Sequence, residues 1–167
     1  LHAPPNWLND HSVNPRAYFA GLADLLPDAI QVKIDIVQAD PYEQNIRAYL
    51  NLGHTFAHAI EQVSGYAWPH GEAVGVGLMA AALLSHRLGL CDEDVVLATR
   101  DALRAVALPE RIPGFDPEAI YAARATDKKW HNGRPRFVLL RAIGHPEIVE
   151  DVSSQDVLPV LQRLCSK

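Results

Sequence analysis

Between Arg47 and Glu72 the chain reads RAYLNLGHTFAHAIEQVSGYAWPHGE, and this stretch constrains the fold more than any other. Arg47, Asn51, His54 and His58 recur at i, i+4, i+7 and i+11, the spacing that places side chains on one stripe of an α-helix. Tyr49, Leu50, Leu52, Phe56, Ala57, Ala59 and Ile60 fill most of the positions between them. A helix that is apolar nearly all round is a buried helix. A guanidinium, an amide and two imidazoles buried in line need partners, because an unpaired polar group costs free energy in an apolar setting. A polar ligand or a metal ion along the stripe supplies them.

His54 and His58 are one helical turn apart, a spacing that aims two imidazoles at one point. The plain alternative is a pair of helix-face histidines bonded to neighbours; the apolar surroundings and a third histidine weigh against it. His70 opens the next helix after the tight break Ser64-Gly65-Tyr66-Ala67-Trp68-Pro69. The positive end of that helix disfavours imidazolium and so favours the neutral ring that a metal needs. Gly71 leaves room for a ligand to approach the backbone. Glu72 reads either as a first-turn acid complementing the helix dipole or as an acceptor that orients a histidine. Gly75 and Gly77 lower helix propensity inside the apolar run Ala73 to Leu84, and close helix packing is their expected role. Lys33, Arg47, Lys128 and Lys129 are candidate anion-binding cations.

The rest of the chain sets limits. It has 167 residues, 49% of them hydrophobic and 21% charged, with a formal charge of −5. That size supports one domain with a core, and the acidic balance argues against a nucleic-acid or membrane partner. The two cysteines, Cys91 and Cys165, form no CxxC pair, so neither a thiolate metal site nor a disulfide framework is expected, and a reducing cytoplasmic compartment fits. No run is long enough to span a bilayer. His2, His11, His86, His131 and His145 read as ordinary surface residues. The loop-like opening LHAPPNWLNDHSVNP lacks the form of a signal peptide, and the chain reads as a piece of a longer protein.

A mainly α fold with a small β-hairpin near the C-terminus follows from the pattern. Asn14 and Pro15 start a first helix that Pro27 breaks or kinks; Asp28 to Gln38 forms a second helical stretch, ended by Asp40-Pro41. A central helix is predicted from Tyr42 to Val63, then helices from His70 to about Arg87, from Asp92 or Glu93 to about Val106, and from Asp116-Pro117-Glu118 to about Ala123. Asn132-Gly133 is a turn signal. Arg136 to Arg141 and Glu147 to Val152 are the strand candidates. Ser153 or Ser154 caps a last helix ending near Leu164.

LNLGHTFAHAIE (Leu50 to Glu61) followed by HGEAVGVGL (His70 to Leu78) resembles 3-dehydroquinate synthase, through that family's helical C-terminal domain. The likeness extends to the DKK element at Asp127 to Lys129 and to Phe137–Gly144. It implies that His54 and His70 ligate a divalent metal, Zn²⁺ or Co²⁺, and that His58 binds substrate and moves protons. It implies substrate contacts from Lys33, Arg47 and Asn51 and from a lysine of the DKK element, Lys128 or Lys129. The family's third metal ligand, a glutamate, and its NAD-binding α/β domain are expected upstream of this chain. The implied whole protein is an NAD- and metal-dependent lyase, a homodimer acting on an anionic sugar phosphate, 3-deoxy-D-arabino-heptulosonate 7-phosphate. It would yield 3-dehydroquinate for aromatic biosynthesis, and this piece alone would be inactive. The rival readings are another sugar-phosphate cyclase and a non-catalytic helical module with a structural metal.

Overall fold

A computed structural model describes the backbone of residues 15–124 and 136–166, and the side chains among these from residue 25 onward. The chain divides into two compact units, residues 1–50 and 51–167.

The first unit carries one long helix, α1 (Pro15–Ala39). Pro15 takes the first helical position, as expected of a residue with no N–H to satisfy; Asn14 lies outside the described residues. Of the two outcomes expected at Pro27, a break does not occur, and α1 runs through it. A proline removes one backbone bond and crowds one carbonyl, and the turns on either side carry the helix on. The β-branched run from Ile30 to Val37 is helical too, with Ile30, Val32 and Ile34 exposed. After α1 the buried Asp40 gathers the turn. Its carboxylate accepts backbone N–H bonds from Gln44 (2.9 Å), Asn45 (2.6 Å) and Arg47 (3.1 Å). The bond from Gln44, with those from Asn45 and Arg47 and the Arg47 charge, holds its pKa below the usual carboxylate value against the opposing effect of burial.

The predicted continuous helix from Tyr42 to Val63 is not formed. A short 3-10 helix, Ile46–Asn51, is followed by a turn and then by α2 (His54–Val63). The break lies at Gly53, whose φ of +79° is left-handed. Only glycine takes that conformation without penalty.

The second unit is built on α2 and α3 (His70–Arg87). Around them stand α4 (Glu93–Ala105), α5 (Pro117–Arg124), the hairpin β1 (Arg136–Ala142) and β2 (His145–Glu150), and α6 (Ser154–Cys165). The core is one cluster. It includes Phe56 and Ile60 from α2, Val76 and Leu84 from α3, Ile120 from α5, Phe137 and Leu139 from β1, and Leu161 from α6. Each such side chain contributes about 1.5–3 kcal/mol by leaving water.

Gly75 and Gly77 do allow close packing. A Cβ on Gly75 would lie 3.2 Å from Leu108 Cβ and from the Pro109 carbonyl oxygen, and one on Gly77 would overlap the Gly53 carbonyl oxygen. Conversely, a Cβ on Gly53 would lie 2.8 Å from Leu78 N. The start of α2 therefore rests on the middle of α3, backbone to backbone.

The hairpin is antiparallel, pairing Phe137 with Val149 and Leu139 with Glu147. Its second strand starts two residues earlier than the sequence suggested, and its turn is Ile143-Gly144. Asn132-Gly133 lies outside the described residues. Four successive β1 residues, Phe137 to Leu140, are buried, so both faces of that strand are covered. Buried Ser85 fastens β1 to α3: its hydroxyl donates to Ala81 O (2.7 Å) and accepts from Leu140 N (2.8 Å). Both cysteines are free. Burial, then the Asp116 charge, pushes the Cys165 thiol up to about 11, so it stays neutral. Among the described residues no helix is long and apolar enough to cross a membrane.

Candidate functional site

The start of α2 presents His54, the next turn presents His58, and the first residue of α3 is His70. The connecting loop returns the chain sharply. Gly65 and Tyr66 both take left-handed φ, +62° and +61°, and their N–H groups donate to Gln62 O and Glu61 O at the end of α2. Pro69 then starts α3, its carbonyl accepting from Glu72 N and Ala73 N. The three rings meet as a result. Ring centroids are 5.6 Å apart for His54 and His70, 5.7 Å for His54 and His58, and 6.5 Å for His58 and His70.

These separations can be tested against a shared cation. With a metal–nitrogen bond of about 2.1 Å, each ring centre stands about 3.2 Å from the ion, so two ligating rings lie about 5.2 Å apart at the tetrahedral angle and at most about 6.4 Å. His54 with His70 and His54 with His58 fall inside that range; His58 with His70 stands at its upper end. Hydrogen bonds orient two of the rings, those of His54 and His70. The His54 Nδ1 lies 3.2 Å from Leu52 O, and the His70 Nδ1 lies 3.0 Å from Glu61 Oε1. A carbonyl or carboxylate oxygen can only accept, so the proton belongs on Nδ1 in both rings. Nε2 is then the lone-pair nitrogen, the arrangement in which an oxygen acceptor orients a metal-binding histidine. His54 and His70 could hold a divalent cation. Among the described residues no group of three or more His, Cys, Asp or Glu is placed to hold an ion.

Glu61 is the residue that the sequence reading missed. Its side chain is largely buried, 14% exposed, whereas that of His70 is 58% exposed. Glu72 is not the acceptor for His70. It stays in the first turn of α3, where burial raises its pKa.

The other expected residues fall elsewhere. The break at Gly53 takes Arg47 off the histidine helix. It belongs to the first unit, where its Nη1 donates to Pro41 O at 2.6 Å. Lys33 is exposed on α1, in the same unit. Asn51 ends the 3-10 helix, half-buried. Lys128 and Lys129 lie outside the described residues. Of the plain surface histidines, His86 and His145 are exposed as expected; His2, His11 and His131 lie outside the described residues.

The fold is shared with solved synthases, two of which carry NAD⁺ and a divalent metal. A 2-epi-5-epi-valiolone synthase from Streptomyces hygroscopicus subsp. jinggangensis, with NAD⁺ and Zn²⁺ bound, superposes with a TM-score of 0.75 at 28% identity, covering 85% of this chain and 39% of that one. A 2-deoxy-scyllo-inosose synthase in complex with carbaglucose-6-phosphate, NAD⁺ and Co²⁺ gives 0.69 at 25% identity, covering 80% and 40%. In sequence, residues 6–130 match the family described as 3-dehydroquinate synthase C-terminal, and the chain belongs to that family. The 3-dehydroquinate synthase of Xanthomonas campestris pv. campestris is 46% identical over 149 residues, 85% of this chain. That of Dehalococcoides mccartyi is 38% identical over 143 residues, 86% of this chain. The chain spans 40% of the length of either relative.

Proposed function

We propose that this chain is the C-terminal, metal- and substrate-binding part of a 3-dehydroquinate synthase, with an NAD-binding α/β domain upstream in the whole protein. The observation that carries the reading is the meeting of His54 and His70 with each Nδ1 turned to an oxygen acceptor. The relatives favour this product over another carbocycle: identity is 46% to a dehydroquinate synthase and 28% to the valiolone synthase.

In this reading His54 and His70 hold Zn²⁺ or Co²⁺, joined by a glutamate from the upstream part. When bound, the ion supplies a Lewis acid beside the substrate hydroxyl that NAD⁺ oxidises. His58 stands one turn along α2 from His54, outside the ligand pair, where an imidazole can accept and return a proton. Arg47, Lys33 and the lysines at 128 and 129 bind the carboxylate and phosphate of 3-deoxy-D-arabino-heptulosonate 7-phosphate by charge-assisted hydrogen bonds. Asn51 bonds a hydroxyl. Fixing both ends of the substrate favours the elimination of phosphate and the later ring closure, which depend on proximity.

The test is an assay of the full-length protein with NAD⁺ and Zn²⁺ or Co²⁺, with product identification. Dehydroquinate and phosphate in equal amounts are expected, with loss of turnover and of bound metal in His54→Ala and His70→Ala. A different carbocycle, or full activity and metal content in both variants, would refute the reading.

A further inference from the structure

A polar cleft lies away from the histidines, between α3, α4 and α6. Four guanidinium groups line it, from Arg100, Arg104, Arg111 and Arg163, with one carboxylate, Glu110. Met79 and Leu83 of α3 contribute apolar lining. They stand about 14–20 Å along α3 from His70 at the helical rise of 1.5 Å per residue. The cleft holds about 110 Å³, close to the liquid volume of roughly four waters and the scale of one phosphoryl or carboxylate group.

The charges there are not balanced from within. Glu110 Oε1 accepts from Arg104 Nε (3.1 Å) and Nη2 (2.6 Å), so it is committed to one arginine. Among the described residues Arg100 pairs with its neighbour Asp101, whose side chain is 66% exposed. Among the described residues Arg111 and Arg163 make no ion pair. In a chain of formal charge −5 with 15 lysines and arginines, four guanidinia gathered around one concavity repel one another unless an anion lies between them. Guanidinium forks match the oxygens of phosphate and carboxylate.

We propose that this cleft is a binding site for a small polyanion, a phosphoryl group being the best match, distinct from the site built on the histidines. Arg111 and Arg163 are its free donors, Arg104 held by Glu110 forms its wall, and the apolar floor lowers the local dielectric.

The experiment is a calorimetric titration of the 167-residue chain with inorganic phosphate at constant ionic strength, set by potassium chloride. A saturable binding component that depends on Arg111 and Arg163 is expected. Arg111→Gln and Arg163→Gln should each weaken it by about tenfold, the loss of one charge-assisted contact. Arg141→Gln, which alters a hairpin arginine paired with Glu147, should leave it unchanged, and so should His54→Ala. All of these arginines are on the surface, so folding is not at risk, and far-UV circular dichroism checks it. Absence of saturable binding, equal weakening by Arg141→Gln, or loss in His54→Ala with retention in both cleft variants would overturn the proposal.

Discussion

Replacing Gly77 with alanine tests how the histidines are brought together. The new methyl would overlap the Gly53 carbonyl oxygen and lie 3.0 Å from the Gly53 carbonyl carbon and 3.3 Å from Ala57 N. All three are backbone atoms at the start of α2, so no side chain can turn aside; α2 must shift against α3. Alanine gains about 1 kcal/mol of helix propensity over glycine, while overpacking against a fixed wall costs about 3 kcal/mol. The net loss is about 2 kcal/mol, or about 4–8 °C in melting temperature for a chain of this size. Gly71 is the internal control. It lies in the same helix, and a Cβ there would meet nothing within 4 Å. Gly71→Ala should therefore be neutral or stabilising by about 0.5 kcal/mol. Urea unfolding followed by far-UV circular dichroism gives both values. Equal stability of Gly77→Ala and wild type would refute the backbone contact, and with it the account of why His54 and His70 are neighbours.

Three further outcomes follow from the same geometry. Ser85→Ala leaves the buried Leu140 N–H without its acceptor and should cost about 1–3 kcal/mol in urea unfolding. Asp40 has a folded pKa below its unfolded value of 3.8, so its contribution is present above that value and is lost as pH falls through the lower folded one. Amide protection factors of Gln44, Asn45 and Arg47 should fall across that acidic window in wild type and be low at all pH values in Asp40→Ala. Glu61→Gln removes the carboxylate beside His70 Nδ1 and should weaken Co²⁺ binding by about 10–100-fold in a visible-absorption titration, while secondary structure is kept; unchanged affinity would remove Glu61 from the site.

The histidines were legible because their spacing and apolar setting report local geometry, which a helix carries over short distances. The last three helices and the first strand were legible for the same reason, each having a start signal and a consistent period. The central helix was misread because periodicity continues through Leu52-Gly53 while the backbone does not. The sign available was a glycine within an apolar helical run, at a cost of about 1 kcal/mol unless φ or packing demands it. At Pro27 the sequence left a break and a kink open, and the helix continues, since one lost bond does not end a helix of 25 residues. Glu61 follows His54 and His58 at i+7 and i+3, so it shares their face. Its partnership with His70, however, depends on how the Ser64–Pro69 loop folds back, which no local pattern specifies. The arginine cleft was illegible because its members come from two helices and a loop far apart in sequence.

Imidazole nitrogen spectra of the ¹⁵N-labelled chain, recorded during a Zn²⁺ titration, test the convergence of His54 and His70 most directly. Nε2 of both rings should shift together toward the metal-bound range, with Nδ1 remaining protonated in each and Nε2 of His58 left outside the ligand set. Metal-bound shifts on His58 in place of His70, or Nδ1 ligation by either proposed ring, would contradict it.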